Sequence, residues 1–273
     1  MLIVGCSQIN LLKGAKPNIA IVIPARMDSQ RLPGKALLDI LGLPMVEHVR
    51  RRALMNKYNL PVFVASGDES ILKAITNFRG NCLESRQEHL NGLSRTYEVS
   101  KELDYTHYII LQGDEVLITP EQIEILVESI RSNPTNHFWN LTTALAKMAE
   151  IEDTSTVKCL LDLNDNIITI FRKSPLTSST EIQMKLLRKI CGLFAVSVSA
   201  MKIICESGST PLEESESIEQ MKYIELGGDI LSVNTSSNFT SINLPVDVVE
   251  VLKIMESSTI QKQLVAQVIK HEY

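Results

Sequence analysis

Short apolar runs alternate along this chain with longer segments whose apolar residues recur at helical spacing. Ile21-Val22-Ile23-Pro24 is β-branched and apolar on both faces, as a buried strand is. Pro44 opens a helix that runs to about Lys57, with Met45, Val46, Val49 and Ala53 on one face. Leu60–Ala65 reads as a second strand, and Ser66-Gly67-Asp68-Glu69 as a turn and helix cap. Strand, helix, strand at this rhythm predicts a βαβ unit and a parallel sheet. Asn81–Glu84 is a short strand, 85–94 a loop and Arg95–Leu103 a helix. His107–Leu111 has the two-faced apolar character of a central parallel strand. Thr119-Pro120-Glu121 then opens a helix over 120–132, and Asn133-Pro134 ends it.

The rhythm changes after about residue 139. Leu141–Leu145, Thr156–Asp162, Ile167–Phe171 and Ile190–Ser197 read as strands, with a hairpin turn over 162–166. Segment 172–189 is polar and Ser/Thr-rich and reads as a surface loop. Pro211–Glu225 reads as one Glu-rich helix stopped by Gly227-Gly228. A strand over Ile230–Val233, a helix over Pro245–Met255 and an amphipathic helix over 258–271 complete the chain. The expected fold class is α/β: a Rossmann-like, mostly parallel sheet with a smaller mixed-sheet subregion over about 139–200. Residues 1–17 form a lead, 18–256 one domain and 257–273 a C-terminal helix.

Composition narrows the function classes. The 273 residues carry 44% apolar and 22% charged side chains, as a soluble globular protein does. A net charge of −5 and a pI near 5.6 argue against a general nucleic-acid binder, whose phosphate contacts need a basic surface. Five scattered cysteines (6, 82, 159, 191 and 205) suit reduced thiols in a cytoplasmic protein rather than a disulfide frame or zinc site. Leu2–Cys6 resembles a lipoprotein cleavage box, but no cationic start precedes it, and we read no signal peptide. No apolar run approaches the roughly 20 residues of a membrane span.

The candidate chemistry sits at strand ends. The loop after Pro24 carries Arg26, Arg31 and Lys35 with Pro33-Gly34. Ligands of open α/β sheets bind beyond the C-terminal ends of strands, and cations with free N–H groups there suit a polyphosphate. Arg can grip phosphate through two donors, whereas Lys acts as a point charge. Gln112-Gly113-Asp114-Glu115 follows another strand, where a carboxylate suits Mg²⁺ held against nucleotide phosphates.

The loop reads Pro-Ala-Arg, a spacer, then Arg-Leu-Pro-Gly-Lys, and so resembles that of the sugar-activating cytidylyltransferases, above all the 3-deoxy-manno-octulosonate (KDO) cytidylyltransferase family. Gln112-Gly113-Asp114-Glu115 matches that family's motif in full, although its following Pro is Val116 here. Arg86, His89, Gly92 and Arg95 match its base-reading loop, while Leu93 and Ser94 replace a Thr and an acid. Pro211-Leu212-Glu213, Glu216 and Glu219-Gln220 match its acidic helix in register. The resemblance covers roughly 18–256. It weakens on the sugar side, where Asn243 replaces a second metal carboxylate, Ile190 a His and Phe194 a Tyr.

The resemblance implies the fold of the nucleotide-diphospho-sugar transferases. It also implies transfer of CMP from CTP to KDO or a modified KDO, with pyrophosphate release, for lipopolysaccharide or surface polysaccharide. Arg26, Lys35 and Asp114 would be catalytic, and Asp114 with Asn243 would hold Mg²⁺. Ala25, Arg26, Arg31, Lys35, Ser66, His89, Asn91, Gly92 and Arg95 would line the nucleotide, and Gln112, Lys173, Glu219 and Gln220 the sugar. The expected partners are CTP, an acidic sugar and a second copy of the chain, with no nucleic acid and no membrane. The departures motivate an alternative: a catalytically silent nucleotide-binding relative, or a partner subunit.

Overall fold

The structure, a computed structural model, describes residues 16–29, 31–89, 91–237 and 240–270. Nearly all of the 1–17 lead, including the Leu2–Cys6 box, lies outside them. The chain runs β1 (Ile19–Pro24), β2 (Asp39–Ile40), β3 (Leu43–Pro44), α1 (Met45–Leu54), β4 (Val62–Ser66), α2 (Glu69–Asn77), β5 (Asn81–Glu84), α3 (Gly92–Ser100), β6 (His107–Leu111) and α4 (Pro120–Ser132). It continues through β7 (Phe138–Ala144), α5 (Ala149–Glu152), β8 (Lys158–Leu161), β9 (Ile167–Phe171), α6 (Thr180–Leu186), β10 (Arg188–Ser197), α7 (Val198–Glu206), α8 (Pro211–Glu216), α9 (Glu219–Glu225), β11 (Leu231–Asn234), α10 (Pro245–Ser257) and α11 (Thr259–Lys270).

Strand order is β11-β7-β10-β6-β1-β4-β5, with the β8–β9 hairpin attached through β10. The β1, β4, β5 and β6 neighbours pair in parallel, as do β7 and β11. β10 runs antiparallel between β6 and β7. The mixed-sheet subregion is therefore continuous with the main sheet. Alternation puts Ile19, Ile21 and Ile23 into one core and Ala20 and Val22 into the other. Both faces of β1 are buried, which explains its unbroken apolar run. Helices α1, α2, α4 and α10 supply the first core, and α3, α7 and α9 the second.

Three expectations need correction. Segment 172–189 contains α6, because Gln183 turns inward to bond the Leu176 and Ser178 carbonyls, and Met184 and Leu187 join a small core with Leu145, Ile151 and Phe171. The 211–225 helix is two helices: Ser217 adopts φ +53°, and the break lets Ile218 turn into the core. Helix α3 begins at Gly92 rather than Arg95, because Asn91 caps it by accepting from Ser94 N at 2.9 Å. Helix α7, capped by Ser197, follows β10 directly and had no counterpart in the sequence reading.

The buried polar groups of α1 anchor the C-terminal helix. Glu47 pairs with Arg50 (2.7 Å) and Arg51 (2.6 Å), with all three side chains at most 5% exposed. Arg51 also donates to the Val268 carbonyl at the end of α11. Arg52 donates to Gln261 Oε1 and to the Ile118 carbonyl, and Gln261 Nε2 donates to the Leu117 carbonyl. Removing one member of a buried ion cluster leaves uncompensated charge. Glu47→Ala is therefore expected to lower the unfolding free energy by about 3–5 kcal/mol, read by urea denaturation.

Candidate active site

The loop after β1 folds back on itself. Ala25 N donates to Ala65 O and Met27 N to Asp68 Oδ2, which ties the loop to β4 and the start of α2. Gly34 N donates to Met27 O, and Gly34 sits at φ +75°, where a side chain would be strained. That turn sends Lys35 across the strand ends. Its Nζ lies 2.6 Å from Asp114 Oδ2 and 3.0 Å from the Ile242 carbonyl. Ile242 N in turn donates to the Asp114 carbonyl at 3.1 Å, which brings Asn243 to the same edge. Lys35, Asp114 and the 242–243 turn thus converge. Arg26 and Arg31 are exposed and make no hydrogen bond or ion pair among the described residues.

The donor set at this edge is hard oxygen: one carboxylate and an amide carbonyl. Among the described residues no group of three His, Cys, Asp or Glu side chains could hold a metal by itself. Mg²⁺ is commonly bound by one or two carboxylates plus substrate phosphates, and this donor set fits that mode. Asp247 caps the following helix by accepting from Asn243 N and Leu244 N, so it faces backbone rather than the Lys35 edge.

Next to Asp114, Glu115 is half-buried. Its Oε1 accepts from Gly192 N at 3.1 Å and Ser241 Oγ at 2.7 Å. Burial, with the Asp114 charge beside it, pushes its carboxyl up to about 7. Glu115 also lines a pocket of about 40 Å³ with Gln122, Lys189, Cys191 and Ser241. Gly192 O accepts from Gln112 N, joining β10 to the end of β6. The sequence displays Glu115 only as part of its motif and carries no sign of its partners.

The expected base-reading residues gather around the start of α3. His89 Nε2 lies 2.6 Å from Glu98 Oε2, and Ser85 Oγ and Arg86 N also bond that carboxylate. Burial works to raise the Glu98 carboxyl, but these hydrogen bonds outweigh it and hold the group below its ordinary value. Gly92 approaches Pro24 and Gln112 so closely that a Cβ would fall 2.8 Å from Pro24 Cγ. Ser66 is buried, and its Oγ accepts from Asp68 N. Arg95 is buried near Gly67 with its Nη1 unpartnered, and burial lowers its pKa. An orphaned guanidinium donor beside a strand end is a place for an incoming acceptor.

The expected sugar-side residues are only partly brought together. Glu219 Oε2 accepts from Leu93 N at 3.0 Å, a second cap on α3 that links it to α9. Gln220 donates to buried Asn140, which itself bonds the Leu141 and Cys191 carbonyls. Lys173 is exposed and makes no such contact among the described residues. Its neighbour Arg172, absent from our sequence reading, bonds the Glu216, Ser217 and Thr154 carbonyls and so holds the break between α8 and α9.

A family model described as cytidylyltransferase matches residues 20–230. The chain belongs to the cytidylyltransferase family. It is 32% identical over 235 residues to the 3-deoxy-manno-octulosonate cytidylyltransferase of Escherichia coli, a match that covers 86% of this chain and 95% of that protein. The solved structure of CMP:2-keto-3-deoxy-manno-octonic acid synthetase complexed with CTP superposes with a TM-score of 0.81 at 31% identity, covering 88% of this chain and 98% of that one. The inositol-1-phosphate CTP transferase of T. maritima shares the fold, at 16% identity and a TM-score of 0.62. Among the described residues no helix is long and apolar enough to cross a membrane.

Glu219 makes the contact between α9 and α3 sensitive to pH. Burial raises its carboxyl from 4.5 to about 7, against the Leu93 N–H bond that favours the ionised form. The folded state then holds its proton more tightly than the unfolded chain does, so stability falls as pH rises from about 4.5 to about 7 and levels off above. Glu115 adds a second slope of the same sign. In melting temperatures recorded across this window, Glu219→Gln is expected to remove its share of the fall and leave that of Glu115.

Proposed function

We propose that this protein transfers CMP from CTP to KDO or a closely related 2-keto-3-deoxy sugar acid. The observation that carries the reading is the meeting of Lys35, Asp114 and the 242–243 turn at the ends of β1 and β6. The relative from E. coli, matched over 95% of its length, supports the sugar class. In the reaction the sugar's anomeric hydroxyl attacks the α-phosphorus in line. A new C–O–P bond forms, the bond from the α-phosphorus to the bridging oxygen breaks, pyrophosphate leaves, and the hydroxyl proton passes to solvent or phosphate. Such transfers rest on positioning and charge neutralisation.

Each group has a place in this scheme. Arg26 and Arg31 project from the loop toward solvent, where they meet the triphosphate. Lys35 stabilises charge on the departing pyrophosphate. Mg²⁺, when held by Asp114 and the Asn243 carbonyl, supplies charge neutralisation at the phosphates. Ala25, Ser66, His89, Asn91, Gly92 and Arg95 enclose the nucleoside, with the orphaned Arg95 Nη1 as a donor to it. Gln112 and Glu219 orient the sugar, Gln220 braces the wall behind them through Asn140, and Lys173 reaches the sugar when the substrate is bound. The homodimer, formed through 139–200, the cytoplasmic location and the role in lipopolysaccharide or surface polysaccharide synthesis belong to the same proposal.

Pyrophosphate release, measured with Mg²⁺ and KDO while CTP, UTP, ATP and GTP are offered in turn, is expected with CTP alone. Equal release with UTP would sink the cytosine assignment, and no release with KDO or modified KDO would sink the sugar assignment. Lys35→Met is expected to cut kcat/KM for CTP by about 10²–10³-fold. Asn243→Asp adds a second carboxylate, so the Mg²⁺ concentration for half-maximal rate is expected to fall.

A further inference from the structure

Glu115 stands at a junction that the scheme above leaves without a role. Its Oε1 receives two donors from segments far apart in the chain, Gly192 N on β10 and Ser241 Oγ, two residues before Asn243. The β10 strand is shaped for this contact. Its register on β7 jumps from Ile190↔Thr142 to Phe194↔Asn140, an irregularity that pushes the backbone around Gly192 out of the ladder. A Cβ at Gly192 would lie 2.4 Å from Glu115 Oε1, so only glycine admits the carboxylate at that distance. The same Gly192 accepts from Gln112 N through its carbonyl, and Glu115 N donates to Gln112 O. One side chain thus ties together the turns that carry Gln112, Asp114 and Asn243.

We infer that Glu115 is a positioning residue. Through Ser241 it sets the distance between Asn243 and Asp114, and so sets the affinity of the site for the divalent ion that accompanies the nucleotide. The inference rests on the metal role given to Asp114 and Asn243 above. With an uncharged amide as one of the two protein donors, binding depends heavily on where that amide is held. Partners of metal ligands commonly control affinity in this way. Both bonds converge on one oxygen of Glu115, so an acceptor atom, rather than a free carboxylate, is what the geometry requires.

The test compares Glu115→Ala and Ser241→Ala, which delete the bond, with Glu115→Gln and Ser241→Thr, which keep the acceptor oxygen and the hydroxyl. Half-saturating Mg²⁺ is read from turnover, and Mn²⁺ binding to the protein–CTP complex from electron paramagnetic resonance. Each Ala variant is expected to weaken both metal readings about tenfold, with kcat at saturating metal and KM for CTP moving less than about twofold. The conservative variants are expected to stay near wild type, and the double Ala variant to be no worse than either single one. Ser241→Ala removes a single oxygen from a half-exposed loop residue, so it keeps the test sound where Glu115→Ala fails to fold. Loss of kcat with an unchanged metal requirement, equal loss in the conservative variants, or no Mn²⁺ binding with CTP in wild type would each overturn the inference. If KDO is not turned over but the Mn²⁺ contrast holds, the sugar assignment fails and the role of Glu115 stands.

Discussion

One ammonium group closes the edge of the sheet where the chemistry is placed. Lys35 Nζ contacts groups 79 and 207 positions further along the chain, the Asp114 carboxylate and the Ile242 carbonyl. Both charged side chains are less than a fifth exposed, so water screens the pair only in part. The cation can reach them because Gly34 turns the loop back on Met27 and because Asp114 lies in the turn just beyond β6, a strand paired with β1. Sheet pairing therefore supplies the coarse register of the site. A few polar bonds at the strand ends supply its fine register.

Those polar bonds fall into two groups. At the start of α3, the helix is capped twice, by Asn91 from its own chain neighbourhood and by Glu219 from α9. Around Asn140, polarity has turned inward. Gln220 donates to Asn140, and Phe194 stacks on Phe138 at 5.4 Å within the second core. A tyrosine at 194 would have to find a partner for its hydroxyl in that core. The apolar choice at 194 fits that packing.

How much of this was readable depends on the range of the forces involved. The boundaries of β6 and α4 followed from local signals, a two-faced apolar run and the Thr119-Pro120 start. The cationic loop and the Asp114 turn stood out in the sequence by residue type and spacing, and the structure brings them together through Lys35. The break at Ser217 was not, since it is settled by Ile218 turning inward and by Arg172 gripping carbonyls some 45 positions away. The inward turn of Gln220 was hidden for the same reason, its partner Asn140 lying 80 positions back. Glu115 displayed its residue type in the sequence but not its two donors, which tertiary structure alone brings to it.

The anchoring of α11 has a consequence for the order in which the molecule is made. The carbonyls of Leu117 and Ile118, just beyond the Asp114 turn, are engaged by Gln261 and Arg52, and Arg52 is itself held by Gln261. Gln261 is synthesised 144 positions after Leu117. Until it leaves the ribosome, the sheet can pair and α1 can pack, yet the segment under the site lacks one of its hydrogen-bond donors. A nascent chain of this protein thus pairs its sheet before the segment that follows the Asp114 turn is fully bonded.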